Sequence, residues 1–316
     1  MTTSKSSDPI ALAIFESRLA AICETMGAVL RRSAFSPNIR DRLDFSCALF
    51  DGDGRLLSQA THIPVHLGSM AWAMRDLVDR FDWCPGSRLI LNDPYSGGTH
   101  LPDVTLIAPV FCGERRVGFV ANRAHHADIG TRTPGSMPIS RSLDEEGVLI
   151  EPTWLHRDGE LQNEVLDRIC NRMRRPELAA GDFQAQVAAS ATGERALGRL
   201  VEGPGAERFA ERCGELDEYA RRLTRNTLAD WPRGRFCAED RMDDDGLGGP
   251  GPVIRLSLEI GEQTVRADFD GTDPQVGGNL NCPLSVTAAA TFYAIRCLLP
   301  DETPACAGSL SVVELS

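Results

Sequence analysis

Hydrophobic and polar positions along this chain follow two periods, and the switches between them mark its elements. Ile10, Ile14, Phe15, Leu19, Ile22, Met26, Val29 and Leu30 recur at helical spacing. Asp8-Pro9 supplies an N-cap followed by proline at the first helical position, and Ser36-Pro37 stops the run, so a helix is predicted to end near Arg32. Residues 45–50 and 55–59 read as strands around the turn Asp51-Gly-Asp-Gly54. A helix is predicted over 69–80 and a short strand over 88–91. Residues 104–111 and 116–122 form a second hairpin that turns at Cys112-Gly-Glu-Arg115. Residues 134–152 read as loop. A helix-rich stretch runs over 176–230, broken at Glu202-Gly-Pro-Gly205. A third hairpin (253–260 and 264–269), a helix (285–299) and a strand (310–315) complete the pattern.

These elements predict an α+β fold of mixed β-hairpins and helices with a helix-rich middle segment. The Gly- and Pro-rich run over 243–252 separates two parts, so the expected organisation is a lobe over 1–175, a helical segment over 176–242 and an α+β lobe over 253–316.

Bulk properties narrow the classes. A chain of 316 residues buries a large core. Its net charge of −12 speaks against nucleic acid as the main partner. No apolar run approaches the about 18 residues of a membrane span, and the polar start of the chain lacks a signal-peptide core, so a cytoplasmic location is expected. Ten cysteines without a Cys-x-x-Cys pair are expected to be free thiols packed as small apolar residues. No P-loop or dinucleotide-binding glycine motif is present, so no nucleotide fold is expected within the chain.

Histidine placement carries the chemistry. Five of the six histidines lie in Asn92–Asp103, Arg123–Asp128 or the nearby His62-Ile-Pro-Val-His66. With the second hairpin's turn placed between Gly113 and Glu114, Asp103 pairs with Ala124 and Leu101 with His126. Asp103 and His126 then share a face, and His125 points the other way; a one-residue slip would exchange the two histidines. His100, just before the strand in a Gly-Gly loop, can swing onto the same site. Imidazole and carboxylate ligands of this kind suit a divalent ion such as Zn, Mn or Fe. Asp44, at the start of the first hairpin, is a further candidate ligand. Pro64 between His62 and His66 disfavours a helical ligand pair, so these two are read as donors that orient ligands or as packed loop residues.

Several long motifs, in order, resemble the hydantoinase B / oxoprolinase family. They are Asp44-Phe-Ser-Cys-Ala-Leu-Phe50, His62-Ile-Pro-Val-His-Leu-Gly-Ser-Met70, the Asn92–Asp103 segment, Asn122-Arg-Ala-His-His-Ala-Asp-Ile-Gly130 and Asp270-Gly-Thr-Asp-Pro-Gln-Val-Gly-Gly-Asn-Leu-Asn-Cys-Pro283. The resemblance implies a B-type subunit of an ATP-dependent cyclic amidase. A separate hydantoinase A-type subunit would bind ATP and phosphorylate a hydantoin, 5-oxoproline or other lactam, and the B-type subunit would complete hydrolysis at a metal site. Two other outcomes are implied as alternatives: a subunit of an acetone- or acetophenone-type ketone carboxylase, or an inactive scaffold partner. Carried over by motif, the metal ligands fall at Asp44, His100, Asp103 and one of His125 and His126, with the hairpin register favouring His126. Asp41 and Asp128 are substitute ligands. His125 or Asp128 would take the attacking water's proton, and the His62/His66 loop would orient ligands. Members of that family run past the point matching Ser316, so the last lobe is expected to be incomplete.

Overall fold

The computed structural model describes residues 8–61, 63–66, 68–133 and 138–316. Helix α1 (Pro9–Ser33) starts at the predicted cap, where the Asp8 carboxylate accepts the Ile10 N–H at 3.0 Å. It buries Leu12, Leu19, Met26 and Leu30 along one stripe. The one-turn α2 (Pro37–Arg40) leads into β1 (Phe45–Asp51) and β2 (Leu56–Thr61), the first hairpin. Then come α3 (Ser69–Arg80), β3 (Arg88–Leu91) and the second hairpin, β4 (Asp103–Cys112) with β5 (Arg115–His125). The short α4 (Leu143–Glu146), β6 (Thr153–Arg157), β7 (Glu160–Leu161) and α5 (Asn163–Cys170) follow. Two long helices, α6 (Pro176–Glu202) and α7 (Ala206–Ala229), break at the predicted Gly-Pro-Gly. The chain continues through β8 (Gly234–Arg241), β9 (Val253–Ile260), β10 (Val265–Asp268), α8 (Leu284–Arg296), α9 (Ala307–Leu310) and β11 (Val313–Leu315).

The fold is α+β, built on two sheets. The larger is antiparallel throughout, in the order β2-β1-β5-β4-β3-β6-β7; the smaller runs β11-β10-β9-β8. One face of the large sheet presents Cys47, Leu49, Val110 and Val120 to α1, α6 and α7. The other presents Ala48, Phe50, Ile107 and Phe119 to α3, α8 and the inner side of the small sheet. The lobes inferred from composition therefore pack on one another: Leu228 of α7 and Phe292 of α8 share a core with strand residues of the first 175 positions.

Strand β8 falls inside the segment over 176–242 that was expected to be helical, after the helix-rich stretch over 176–230. It pairs with β9 along its full length, from Gly234 opposite Ile260 to Arg241 opposite Val253. All eight of its residues are exposed, so no buried face imprints a two-residue alternation on its sequence. All ten cysteines are free. Burial pushes the Cys23 thiol up to about 12 and Cys47 well above the thiol range, which keeps both protonated like small apolar side chains. Among the described residues no helix is long and apolar enough to cross a membrane.

The second hairpin holds the decisive detail. Cys112 faces Arg115 and Phe111 faces Arg116, as a turn between Gly113 and Glu114 requires. Beyond them Val110 faces Gly118, leaving Val117 as an extra residue on β5. Every later pair is shifted by one, so Val104 faces Ala124 and Asp103 faces His125.

The loop before β4 is locked by Asn92. Its side-chain amide donates to Leu101 O at 2.7 Å and Val148 O at 2.8 Å, and its Oδ1 accepts the Ile150 N–H at 2.7 Å. The glycine pair beside it is there for close approach: a Cβ on Gly98 would sit 2.3 Å from Asn92 O, and one on Gly97, at φ +96°, would sit 2.3 Å from Ala73 Cβ. Asn92→Ala strands three buried backbone groups. It is expected to destabilise the protein by about 3 kcal/mol or more, at roughly 1–3 kcal/mol per unsatisfied group, measured by urea unfolding.

Candidate metal centre

Asp103 opens β4 with a side chain that is almost completely buried. Its Oδ1 meets His100 Nε2 at 2.9 Å and His125 Nδ1 at 3.0 Å. Its Oδ2 meets His66 Nε2 at 3.3 Å and accepts the Thr99 hydroxyl at 2.5 Å. Burial alone would raise this carboxyl. The three imidazoles, His100 foremost, outweigh it and hold Asp103 well below the usual carboxylate range. Burial would likewise lower His100, but Asp103 and then Asp44 outweigh it and raise the imidazole above its ordinary value.

Asp44 completes the cluster. Its Oδ2 lies 3.9 Å from His125 Nδ1, and its carbonyl accepts the His125 N–H at 2.9 Å. Leu43, just before it, adopts a left-handed φ of +57°, rare for a bulky residue. This turn carries the chain from α2 into β1, and the partly buried Leu43 side chain packs against the core beneath α1. Ligand-type atoms of His100, Asp103 and His125, and likewise of Asp44, His66 and Asp103, all lie within 4.8 Å of one another.

These spacings fit a cation. Ligand atoms bound at about 2.0–2.2 Å to one ion stand roughly 3–3.5 Å apart, close to the 2.9 Å of His100 to Asp103, the 3.0 Å of His125 to Asp103 and the 3.9 Å of His125 to Asp44. The donor set also balances: the two carboxylates carry the charge that a divalent ion offsets. The site is asymmetric in access. The His100 and Asp44 side chains keep 27% and 16% of their surface exposed, whereas Asp103 and His66 are sealed. Ser46 Oγ meets His66 Nδ1 at 3.0 Å and fixes the ring from behind.

The bulge at Val117 places His125, not the expected His126, on the Asp103 face. His126 points the other way, into α6. Its ring stacks on Phe183 with centroids 4.6 Å apart, and its Nε2 meets Gln186 Oε1 at 2.9 Å. The Gln186 amide nitrogen donates to Val104 O and Asn122 Oδ1, which makes its oxygen the acceptor and puts the His126 proton on Nε2. Burial lowers the His126 pKa and keeps the ring neutral.

Asp128, read from sequence as a proton acceptor or substitute ligand, caps backbone instead. It accepts N–H groups from Gly130 at 3.0 Å, Arg174 at 2.8 Å and Arg175 at 3.2 Å. Asp41 is paired with Arg40 on the surface, away from the cluster. His66, read as a donor behind the ligands, reaches the Asp103 carboxylate directly. His62 lies outside the described residues. Thr99 and Ser46 escaped the sequence reading, since a hydroxyl beside a histidine motif carries no spacing signal. Asn279 donates to Pro138 O and ties two loops together.

Residues 8–316 match the Hydantoinase B/oxoprolinase family. A 5-oxoprolinase of Dictyostelium discoideum is 37% identical over 318 residues, spanning 97% of this chain and 25% of that protein. Among solved structures, the ATP-dependent caprolactamase from Pseudomonas jessenii is similar with a TM-score of 0.90 at 25% identity, over 99% of this chain and 54% of that one. An acetone carboxylase in its nucleotide-free form shares the fold, with a TM-score of 0.83 at 20% identity over 98% of this chain and 43% of that one. The chain thus spans about a quarter to about half the length of the relatives it matches. With nearly every residue inside the match and the motif histidines and carboxylates gathered at one sheet end, the chain belongs to the hydantoinase B/oxoprolinase family.

Proposed function

We propose that this chain is the metal-holding B-type component of an ATP-dependent cyclic amidase. The observation that carries the reading is the convergence of His100 and His125 on the buried Asp103 carboxylate, with Asp44 beside His125. The relatives supply the substrate class: 5-oxoproline and caprolactam are both cyclic amides. Asp44, His100, Asp103 and His125 would hold a divalent ion, with His66 and Thr99 gripping the second Asp103 oxygen from behind. A bound ion of this kind polarises a carbonyl-derived oxygen and lowers the pKa of water toward about 7.

The chain's own residues do the rest. The imidazoles keep Asp103 ionised inside the core. The sealed His66 side excludes water, so a substrate reaches the cluster past His100 and Asp44. Ring amides are weak electrophiles, and phosphorylation of their oxygen by ATP on an A-type partner would make the carbon attackable. No nucleotide motif occurs in this chain, which supports placing that step on the partner.

Two outcomes are expected. The purified wild-type chain carries a stoichiometric divalent metal by elemental analysis, and Asp103→Ala and His125→Ala lose it. Asp128→Asn keeps the metal and loses only about 1–2 kcal/mol of stability, as backbone hydrogen bonds weaken. Loss of metal in Asp128→Asn, or full retention in Asp103→Ala, overturns the ligand assignment.

Co-expression with an A-type subunit is expected to give ATP-dependent ring opening of one or more of a panel of hydantoins, 5-oxoproline and lactams. Label from bicarbonate entering the product would instead mark a carboxylase.

A further inference from the structure

Beneath the candidate ligands lies a second row of side chains, one pleat deeper on the same sheet face. Ser46 of β1 pairs with Arg123 of β5, which pairs with Thr105 of β4. Each stands two residues from a ligand candidate: Ser46 from Asp44, Arg123 from His125, Thr105 from Asp103. Arg123 is the centre of the row and is completely buried.

Its guanidinium uses all three nitrogens. Nε donates to Thr105 Oγ1, Nη1 to Ser69 Oγ and Nη2 to Gly97 O, each at 2.8 Å. None of these acceptors is charged. Among the described residues no carboxylate forms an ion pair with Arg123 within 4.0 Å. A buried cation is costly unless compensated, and the usual compensation, a contacting carboxylate, is missing. Burial pulls its pKa down to about 10, with Asp103 opposing, so the group stays charged near neutrality.

The three bonds do lead somewhere. Ser69 passes its own hydroxyl hydrogen to His66 O at 3.1 Å, so the first arm reaches the turn that presents His66. Gly97 lies three residues before His100, on the loop that presents it. Thr105 belongs to the strand that presents Asp103, and Arg123 itself to the strand that presents His125. One planar fork thus ties four ligand-bearing segments that are separated by up to 59 positions along the chain. A lysine, with one nitrogen on a flexible stem, matches its charge but not its three fixed directions.

We propose that Arg123 is the positioning residue of the metal centre: its fork sets the relative placement of His66, His100, Asp103 and His125. The proposal rests on the metal-centre reading and adds to it a residue that touches neither ion nor substrate.

The test uses the full chain and cobalt(II) as the probe. Affinity is read by competition with a chelator and geometry by the visible spectrum of the bound cobalt, with circular dichroism as the check on folding. Arg123→Lys is expected to fold, to bind cobalt about 10–100-fold more weakly, the usual cost of losing a partner behind the ligands, and to show a shifted spectrum. Ser69→Ala, which removes one arm, is expected to give a smaller loss in the same direction. Arg123→Lys binding within twofold of the wild type with the same spectrum overturns the proposal. Should Arg123→Lys not fold, Ser69→Ala decides, and wild-type affinity and spectrum there overturn it. A wild-type chain that takes up no cobalt overturns the metal-centre reading, and this proposal with it; wild-type uptake matched by Arg123→Lys overturns this proposal alone.

Discussion

A single buried carboxylate organises one end of this molecule. Asp103 is removed from water yet held ionised, because His66, Thr99, His100 and His125 all direct polar atoms at its two oxygens. An isolated carboxylate there would be unstable, and loss of its partners would leave an uncompensated charge in the core. The four donors come from a short 3₁₀ turn, a glycine-rich loop and a strand end. The charge on Asp103 and the placement of these three segments depend on each other, because the same bonds serve both.

The sheet separates two kinds of polar burial on its opposite faces. Towards α6, His126, Gln186, Asn122 and Ser190 form a neutral network in which each amide orientation follows from its partners. Towards α3 and α8, the same strands carry Asp44, Asp103, Arg123 and His125, where charge accumulates. Adjacent residues of one doublet thus do different work: His125 joins the charged cluster and His126 anchors a helix. The left-handed backbone at Leu43 belongs to the same end, where strain gathers beside residues whose placement matters.

Much of this was legible in the pattern of residues. The Asp8 cap, the helix over 69–80, the Gly-Pro-Gly break between long helices and the two main hairpins are local matters of capping, periodicity and turn chemistry, and they stand where spacing puts them. The cluster of imidazoles and carboxylates was also legible, because Asn92–Asp103 and Arg123–Asp128 had to meet at one hairpin's open end. Strand β8 was not legible, since a strand exposed on both faces has no burial pattern to read. Nor was the fate of Asp128, whose carboxylate is claimed by backbone N–H groups from residues 174 and 175, some 46 positions away.

By itself the sequence determined which residues were available for a cation and that two strands would bring them together, because those depend on side-chain chemistry and a two-residue period. Only the tertiary structure decided which histidine of the doublet joins Asp103. The extra residue at Val117 moves the pairing by one position, and in a strand one position is a change of face. Whether a strand accommodates such a bulge depends on packing against its neighbours on both sides, which no local pattern records.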